Sequence, residues 1–193
     1  MSQPDLALQH LLEPSPEIEY RAFPNERRRN LLQETLEVPV MIRALALPKG
    51  GRILEVGCGR GIALPPIARA LEPSQLVGID IDPELLAAAG NRLLQSRVVA
   101  QLRCADVRAL PFPDASFDLV IDFGTCYHIA GAARALAQVA RVLAPGGIFV
   151  EETRLSQILS HPIRAFGRHL PWTETGSLAP ARWGLLWSSR VRR

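Results

Sequence analysis

Between Arg52 and Glu152 the chain alternates short apolar runs with helix-length stretches, and few architectures accept that rhythm. Arg52 to Val56, Gln75 to Asp80, Val98 to Cys104, Phe117 to Asp122 and Ile148 to Glu152 read as strands. Gly61 to Leu71, a segment begun by Asp82-Pro83 and running to about Gln95, and Ala130 to Leu143 read as helices. Asp82 is a good N-cap, and Pro83 suits a first helical position. Pro145-Gly146-Gly147 turns the chain into the last of these strands. Strands and helices in alternation build βαβ units, hence an α/β fold with a doubly wound, mostly parallel sheet and helices on both faces. Cover on both faces accounts for strands that are apolar throughout. Such sheets bind ligands beyond the carboxyl ends of their strands. The segments to inspect are therefore Glu55 to Gly61, Asp80 to Asp82, Ala105 to Val107 and Asp122 to His128.

The flanks are less regular. Pro4, Pro14 and Pro16 work against a continuous helix at the start, and Glu17 to Leu47 reads as helix with breaks or kinks at Pro24 and Pro39. Pro48-Lys49-Gly50-Gly51 marks the junction with the alternating core. The reading is one domain in three parts: a helical lid or substrate segment over 1–48, a cofactor-binding core over 49–153, and a segment over 154–193 that completes the sheet or serves a substrate or dimer contact. No uninterrupted apolar stretch reaches the roughly 18 residues of a membrane span, and no basic start precedes an apolar leader, so no membrane partner is expected. Cys58, Cys104 and Cys126 are widely spaced and show neither metal-ligand nor disulfide spacing, which fits a reducing cytoplasm. The net charge is only +3, and the arginine runs Arg27-Arg28-Arg29 and Arg190 to Arg193 lack interleaved aromatic residues, so they read as solvated ends.

The turn after the first strand, "EVGCGRG", places glycines at 57, 59 and 61. A nicotinamide dinucleotide would call for G-x-G-x-x-G, and Ile62 occupies the place of that third glycine. Glu55, at the lip of the turn, would oppose a diphosphate. It suits a cofactor that is cationic and carries no phosphate. S-adenosylmethionine is of that kind. Gly57 and Gly59 would let backbone approach its methionine portion, and Asp80 would accept from the ribose hydroxyls. Asp106 would accept from the adenine amine, with Ile81 and Val107 on the adenine faces. An acid closing the apolar strand at Asp80 has little structural reason to be there, whereas Asp82 reads as a cap. Gly61 serves either helix packing or the ligand. Asp114 and Asp118 read as part of a turn, and Cys58 and Cys126 as small packing residues.

The segments "ILEVGCGRG", "LVGIDIDPELL", "ADVRALPFPDASFDLVI" and "VARVLAPGGIFV", in this order, resemble successive motifs of the class I S-adenosylmethionine-dependent methyltransferases, small-molecule branch. The resemblance covers about residues 50–152. It implies a Rossmann-like sheet of seven strands with the last antiparallel, S-adenosylmethionine as cofactor and S-adenosylhomocysteine as product. It carries cofactor contacts onto Glu55, Gly57, Gly59, Asp80 and Asp106, and Cys58, Ile81, Val107 and Phe123 belong to the same candidate set. The implied reaction is methyl transfer to O, N or C of a small organic acceptor. A cofactor-binding protein without catalysis, regulatory or a partner subunit, is the alternative, and a nicotinamide oxidoreductase is a weaker one.

A base is needed only if the attacking atom holds a proton of high pKa. His128 is the candidate for that role, with Tyr127 orienting the acceptor; the alternative is that His128 caps a helix or faces water. "DFGT" at 122–125 lacks the Pro-Pro-aromatic motif of enzymes that methylate exocyclic base amines, and no Pro-Cys pair is present, so nucleic acid is not expected as substrate. No acidic cluster suggests a catechol-type metal, so no metal is expected. Tyr20 and Phe23 are candidates for a lid over Leu31, Leu32 and Leu36, and simple core positions are the alternative for all five. The tail after Glu152 has no clean hairpin signal. Trp183 to Val191 would be the last strand, or the sheet edge is incomplete and invites a homodimer. Trp172, Trp183 and Trp187 would line a pocket or an interface.

Overall fold

A computed structural model describes residues 26–126, 129–152, 178–183 and 187–192. In chain order these form α1 (Glu26–Leu32), a π-helical turn (Gln33–Glu37), α2 (Val38–Ala44), β1 (Arg52–Val56), α3 (Leu64–Leu71) and β2 (Gln75–Asp80). There follow α4 (Pro83–Ser96), β3 (Gln101–Cys104), a 3-10 turn (Val107–Ala109), β4 (Phe117–Asp122), α5 (Ala132–Val142), β5 (Leu143–Glu152), β6 (Leu178–Trp183) and β7 (Trp187–Arg192).

The sheet has seven strands in the order β3-β2-β1-β4-β5-β7-β6. β1 pairs in parallel with both β2 and β4, and β4 with β5. β7 runs antiparallel between β5 and β6. The doubly wound, mostly parallel fold expected from the alternation is therefore present. The seven strands with the last antiparallel that the resemblance implies are present; the last strand, expected over Trp183 to Val191, runs over Trp187–Arg192, and β6 precedes it, so the sheet edge is not left unfinished by β7.

Two apolar layers hold it together. Leu54, Val56, Val77, Ile79, Val120 and Phe149 pack with Ala135, Leu136 and Val139 of α5. Ile53, Leu76, Leu119 and Ile121 pack on the opposite side with Val38 and Met41 of α2 and Leu64 and Ile67 of α3. Successive residues of β1 thus serve opposite layers, which is why its sequence does not alternate with polar residues. α5 buries Ala132, Ala135, Leu136, Val139 and Ala140, the spacing of one helix face.

Local chemistry sets several boundaries. The Asp82 carboxylate accepts from the Glu84 and Leu85 N–H groups and caps α4 as expected. α3 starts at Leu64 rather than Gly61, with prolines at its first turn. The first helical run continues past Pro39 without a break, with a π turn over Gln33–Glu37 before it. The preceding π turn, closed by the Val38 N–H donating to the Gln33 carbonyl, relieves the clash a proline ring makes with the carbonyl four residues earlier. β3 is shorter than expected, because Val98 to Ala100 stay outside the ladder and Val99 is exposed. Asp118 sits in β4 rather than in a turn, where it accepts from the Arg52 backbone N–H (2.8 Å) and guanidinium (2.9 and 3.1 Å). Among the described residues no helix is long and apolar enough to cross a membrane.

Candidate cofactor site

Strand order reverses between β1 and β4, and a cavity of about 460 Å³ opens beyond the carboxyl ends of the strands there. Its walls come from the turns after β1, β2, β3 and β4, and from α1. Glu55, Gly57, Cys58, Gly59, Asp80, Ile81, Asp106, Val107 and Phe123 all line it.

The turn after β1 is held against its neighbours by close contacts. Gly57 has φ +62°, and a Cβ there would lie 1.8 Å from Thr125 Oγ1, so this position has no room for a side chain. That threonine in turn donates to the Val56 carbonyl at 3.3 Å. At Gly59 (φ +52°) a Cβ would meet no atom within 4 Å, so it would project into open space beside the cavity floor. The Gly59 N–H donates to Asp80 Oδ2 (2.8 Å), and the Asp82 N–H to Asp80 Oδ1 (3.0 Å). Asp80 therefore has a structural task that the sequence reading denied it, tying the glycine turn to the end of β2. Each of its oxygens keeps lone-pair capacity for a ligand. Gly61 lies away from the cavity lining, and a Cβ there would come within 2.9 Å of Ala89 on α4, so its task is helix packing.

The acids differ in environment. Glu55 is buried, and its Oε2 is buried with no hydrogen-bond partner. Burial, then the charges of Asp122 and Asp80, push its carboxyl well above the usual range. An orphaned carboxylate oxygen in a cavity wall fits a ligand that brings a donor or a positive charge. Asp122 is also raised by burial, although three backbone N–H groups oppose the shift. Those of Gly124 and Thr125 reach Oδ1 at 2.9 and 2.6 Å, and that of Cys126 reaches Oδ2 at 2.9 Å, so Asp122 shapes the loop after β4. Asp106 caps the 3-10 turn and holds Arg108 through both oxygens, the closest approach being 2.7 Å. Burial works against its charge, but the Arg108 hydrogen bonds outweigh it and keep the carboxyl below the usual range. Cys58 is buried and its thiol is pushed up by burial, so it is a packing group and not a reactive thiolate.

The wall from α1 was not anticipated. Glu26, Arg29, Asn30 and Gln33 face the cavity at helical spacing. Arg60 Nε donates to Glu26 at 3.0 Å, and Arg92 to Glu34 at 2.7 Å, fastening this segment to the glycine turn and to α4. Leu31, Leu32 and Leu36 are exposed by 60%, 43% and 55%, so they are not core positions. The polar stripe at 26, 29, 30 and 33 was the readable signal, since it repeats at three and four residues, the spacing of one helix face. Arg60, Arg108 and Thr125 were also missed, being individually unremarkable in sequence. Tyr20, Phe23, Tyr127, His128 and Trp172 lie outside the described residues, as do the side chains of Trp183 and Trp187.

Residues 54–150, half of the chain, match the family model described as "Methyltransferase domain". The chain belongs to the class I S-adenosylmethionine-dependent methyltransferases. The family's cofactor is S-adenosylmethionine, with S-adenosylhomocysteine as product. A probable S-adenosylmethionine-dependent methyltransferase from Mycolicibacterium smegmatis is 33% identical over 79% of this chain and 56% of its own length. A phthiotriol/phenolphthiotriol dimycocerosates methyltransferase from Mycobacterium leprae is 40% identical over 51% of this chain and 36% of its own. A methyltransferase of solved structure from Aquifex aeolicus, 16% identical, shares the fold with a TM-score of 0.69 over 89% of this chain and 98% of its own. The chain spans about a third to just over half of the length of the curated relatives it matches. The cavity suits the family's cofactor on its own chemistry, through the orphaned Glu55 oxygen, the open space at Gly59 and the acids at the strand ends.

Proposed function

We propose that this chain transfers a methyl group from S-adenosylmethionine to O, N or C of a small organic acceptor, without a metal. The observation that carries the reading is the convergence of Glu55, Gly59, Asp80 and Asp106 on one cavity at the strand-order reversal. Bound there, the cofactor supplies a methyl group already made electrophilic by its sulfonium. What remains for the protein is to bind, orient and exclude water.

Gly57 and Gly59 keep the floor free of side chains. Glu55 receives the ammonium end, where its unpartnered oxygen gains a donor. Asp80 accepts from the ribose hydroxyls while keeping its two backbone donors. Asp106 accepts from the adenine amine by sharing lone pairs with Arg108, and Ile81, 63% exposed, is covered by the ring. Phe123, Cys58 and Val107 complete the apolar contact. The helical segment from α1 closes the side facing water, so the portion over 1–48 acts as lid and acceptor wall around the core over 49–153. Tyr127 and His128 follow the Asp122 loop, with His128 taking a proton where the acceptor has one to lose. The Mycobacterium leprae relative's name, a dimycocerosates methyltransferase, makes an acceptor with apolar portions the first class to screen.

Calorimetric titration with S-adenosylhomocysteine tests the site. We expect micromolar binding by the parent chain and at least a tenfold loss in Asp80→Ala, which removes both a ligand contact and the tie on Gly59. Unchanged affinity in that variant would remove Asp80 from the site. Binding with no turnover across a broad acceptor screen would favour a non-catalytic subunit.

A further inference from the structure

The helical run from α1 through α2 has two faces, and only the inner one serves the cavity. Its outer face carries Leu31, Leu32 and Leu36, all exposed, at spacings of one, four and five residues. Arg27 and Arg28 stand exposed at one end of this leucine patch and Arg43 at the other. Two of the acids in the same run are partly buried, and Glu26, though exposed, is neutralised by Arg60. Glu34 pairs with Arg92, and Glu37 is half-buried. The outer face is therefore apolar along its middle and positive at both ends. Exposed leucines on a water-facing helix are a cost unless something covers them. Leucines flanked by arginines match the layering of a bilayer surface, where acyl chains lie beneath anionic headgroups and long basic side chains reach up to them.

We propose that the outer face of the α1–α2 run lies on an anionic membrane surface. The leucines enter the headgroup–acyl boundary, and Arg27 and Arg43 contact lipid phosphates. This goes beyond the methyl-transfer reading but bears on it. Because Glu26, Arg29, Asn30 and Gln33 of the same run line the cavity, docking sets the cavity wall one helix diameter from the lipid. On the methyl-transfer reading, an amphiphilic acceptor would then be taken from the bilayer rather than from water. The expectation of no membrane partner rested on the lack of a spanning segment, and a helix lying in the surface needs none.

The test is co-sedimentation of the full chain with phosphatidylcholine vesicles, with and without phosphatidylglycerol, alongside titration with S-adenosylhomocysteine. The parent chain should pellet with the anionic vesicles and much less with the neutral ones, and added salt should release it. Leu31→Ser/Leu32→Ser/Leu36→Ser should lower vesicle affinity at least tenfold while leaving S-adenosylhomocysteine affinity unchanged. Arg27→Glu/Arg43→Glu should do the same and abolish the preference for anionic lipid. A chain that binds S-adenosylhomocysteine yet pellets with neither vesicle type overturns the proposal. So does a vesicle-free dimer that the triple-serine variant dissociates, which would assign the face to a second copy. Vesicle binding with these properties in a chain that fails to bind S-adenosylhomocysteine would uphold the surface and remove the cofactor reading instead.

Discussion

At the scale of single residues, the site is built from acids held in unequal states. Glu55 is buried beside Asp122 and Asp80 and favours its protonated form in the fold. A carboxyl whose folded pKa lies above its unfolded value stabilises the fold most below the unfolded value. That contribution is lost as pH rises through the window up to the folded value. Melting temperature should therefore fall as pH rises above the usual carboxylate range in the parent chain, and less steeply in Glu55→Gln, whose amide does not titrate there. Differential scanning calorimetry across that rise checks it, and parallel curves would show that Glu55 ionises without penalty. Asp122 is shifted in the same direction and is common to both proteins, so some slope persists in the variant. Asp106 titrates on the acid side of this window, since Arg108 holds it below the usual range. Sequence made the acids at 55, 80 and 106 readable, because topology alone puts strand-end residues around a ligand. It hid the Asp106–Arg108 pair and the structural half of Asp80's work, which depend on where backbone N–H groups point.

Among the elements, the α1–α2 run was the hardest to read. Leucines at 31, 32 and 36 and polar residues at 26, 29, 30 and 33 share one helical period, so periodicity defines two faces without saying which turns inward. Hydrophobicity favoured the leucines, but the cavity takes the polar stripe, because Arg60 and Arg92 hold Glu26 and Glu34 on the inner side. The Arg92–Glu34 pair is about a quarter exposed on each side, so its contribution is modest, about 1 kcal/mol or less. Arg92→Ala should therefore weaken S-adenosylhomocysteine binding by about fivefold or less. Cleavage near α1 by a trace protease should also quicken, since the run loses one of the ion pairs that fasten it. An unchanged affinity and cleavage rate would mean that helix packing alone keeps this wall in place.

For the molecule as a whole, β1, β2, β4 and the second half of β5 were legible because they are covered on both faces and so read as apolar runs, whereas the rim strand β3 is mostly exposed and was read too long. β6 and β7 were not. "LAPARW" and "WSSRVR" mix proline, serine and arginine, and such composition gives no strand period to read. Their place in the sheet comes from pairing: Val150 lies opposite Ser189, and Glu152 opposite Trp187. Ser189 is buried in the middle of β7, with β5 on one side and β6 on the other. Ser189→Pro removes a backbone donor there and should lower melting temperature and soluble yield markedly, by roughly the 3 kcal/mol or more typical of proline inside regular structure. A variant as stable and soluble as the parent would mean that the β5 edge does not depend on β7. The same strand order carries a consequence for biosynthesis. β7 follows β6 in chain order, yet it lies between β5 and β6 in the sheet, while β6, made first, lies at the rim. On the ribosome, the cofactor cavity can form from β1 to β4 while the edge of β5 stands open. β6 has nowhere to dock until β7 has emerged and slipped in between. The interval before that insertion is when a nascent chain of this design is most exposed to its neighbours on a crowded polysome.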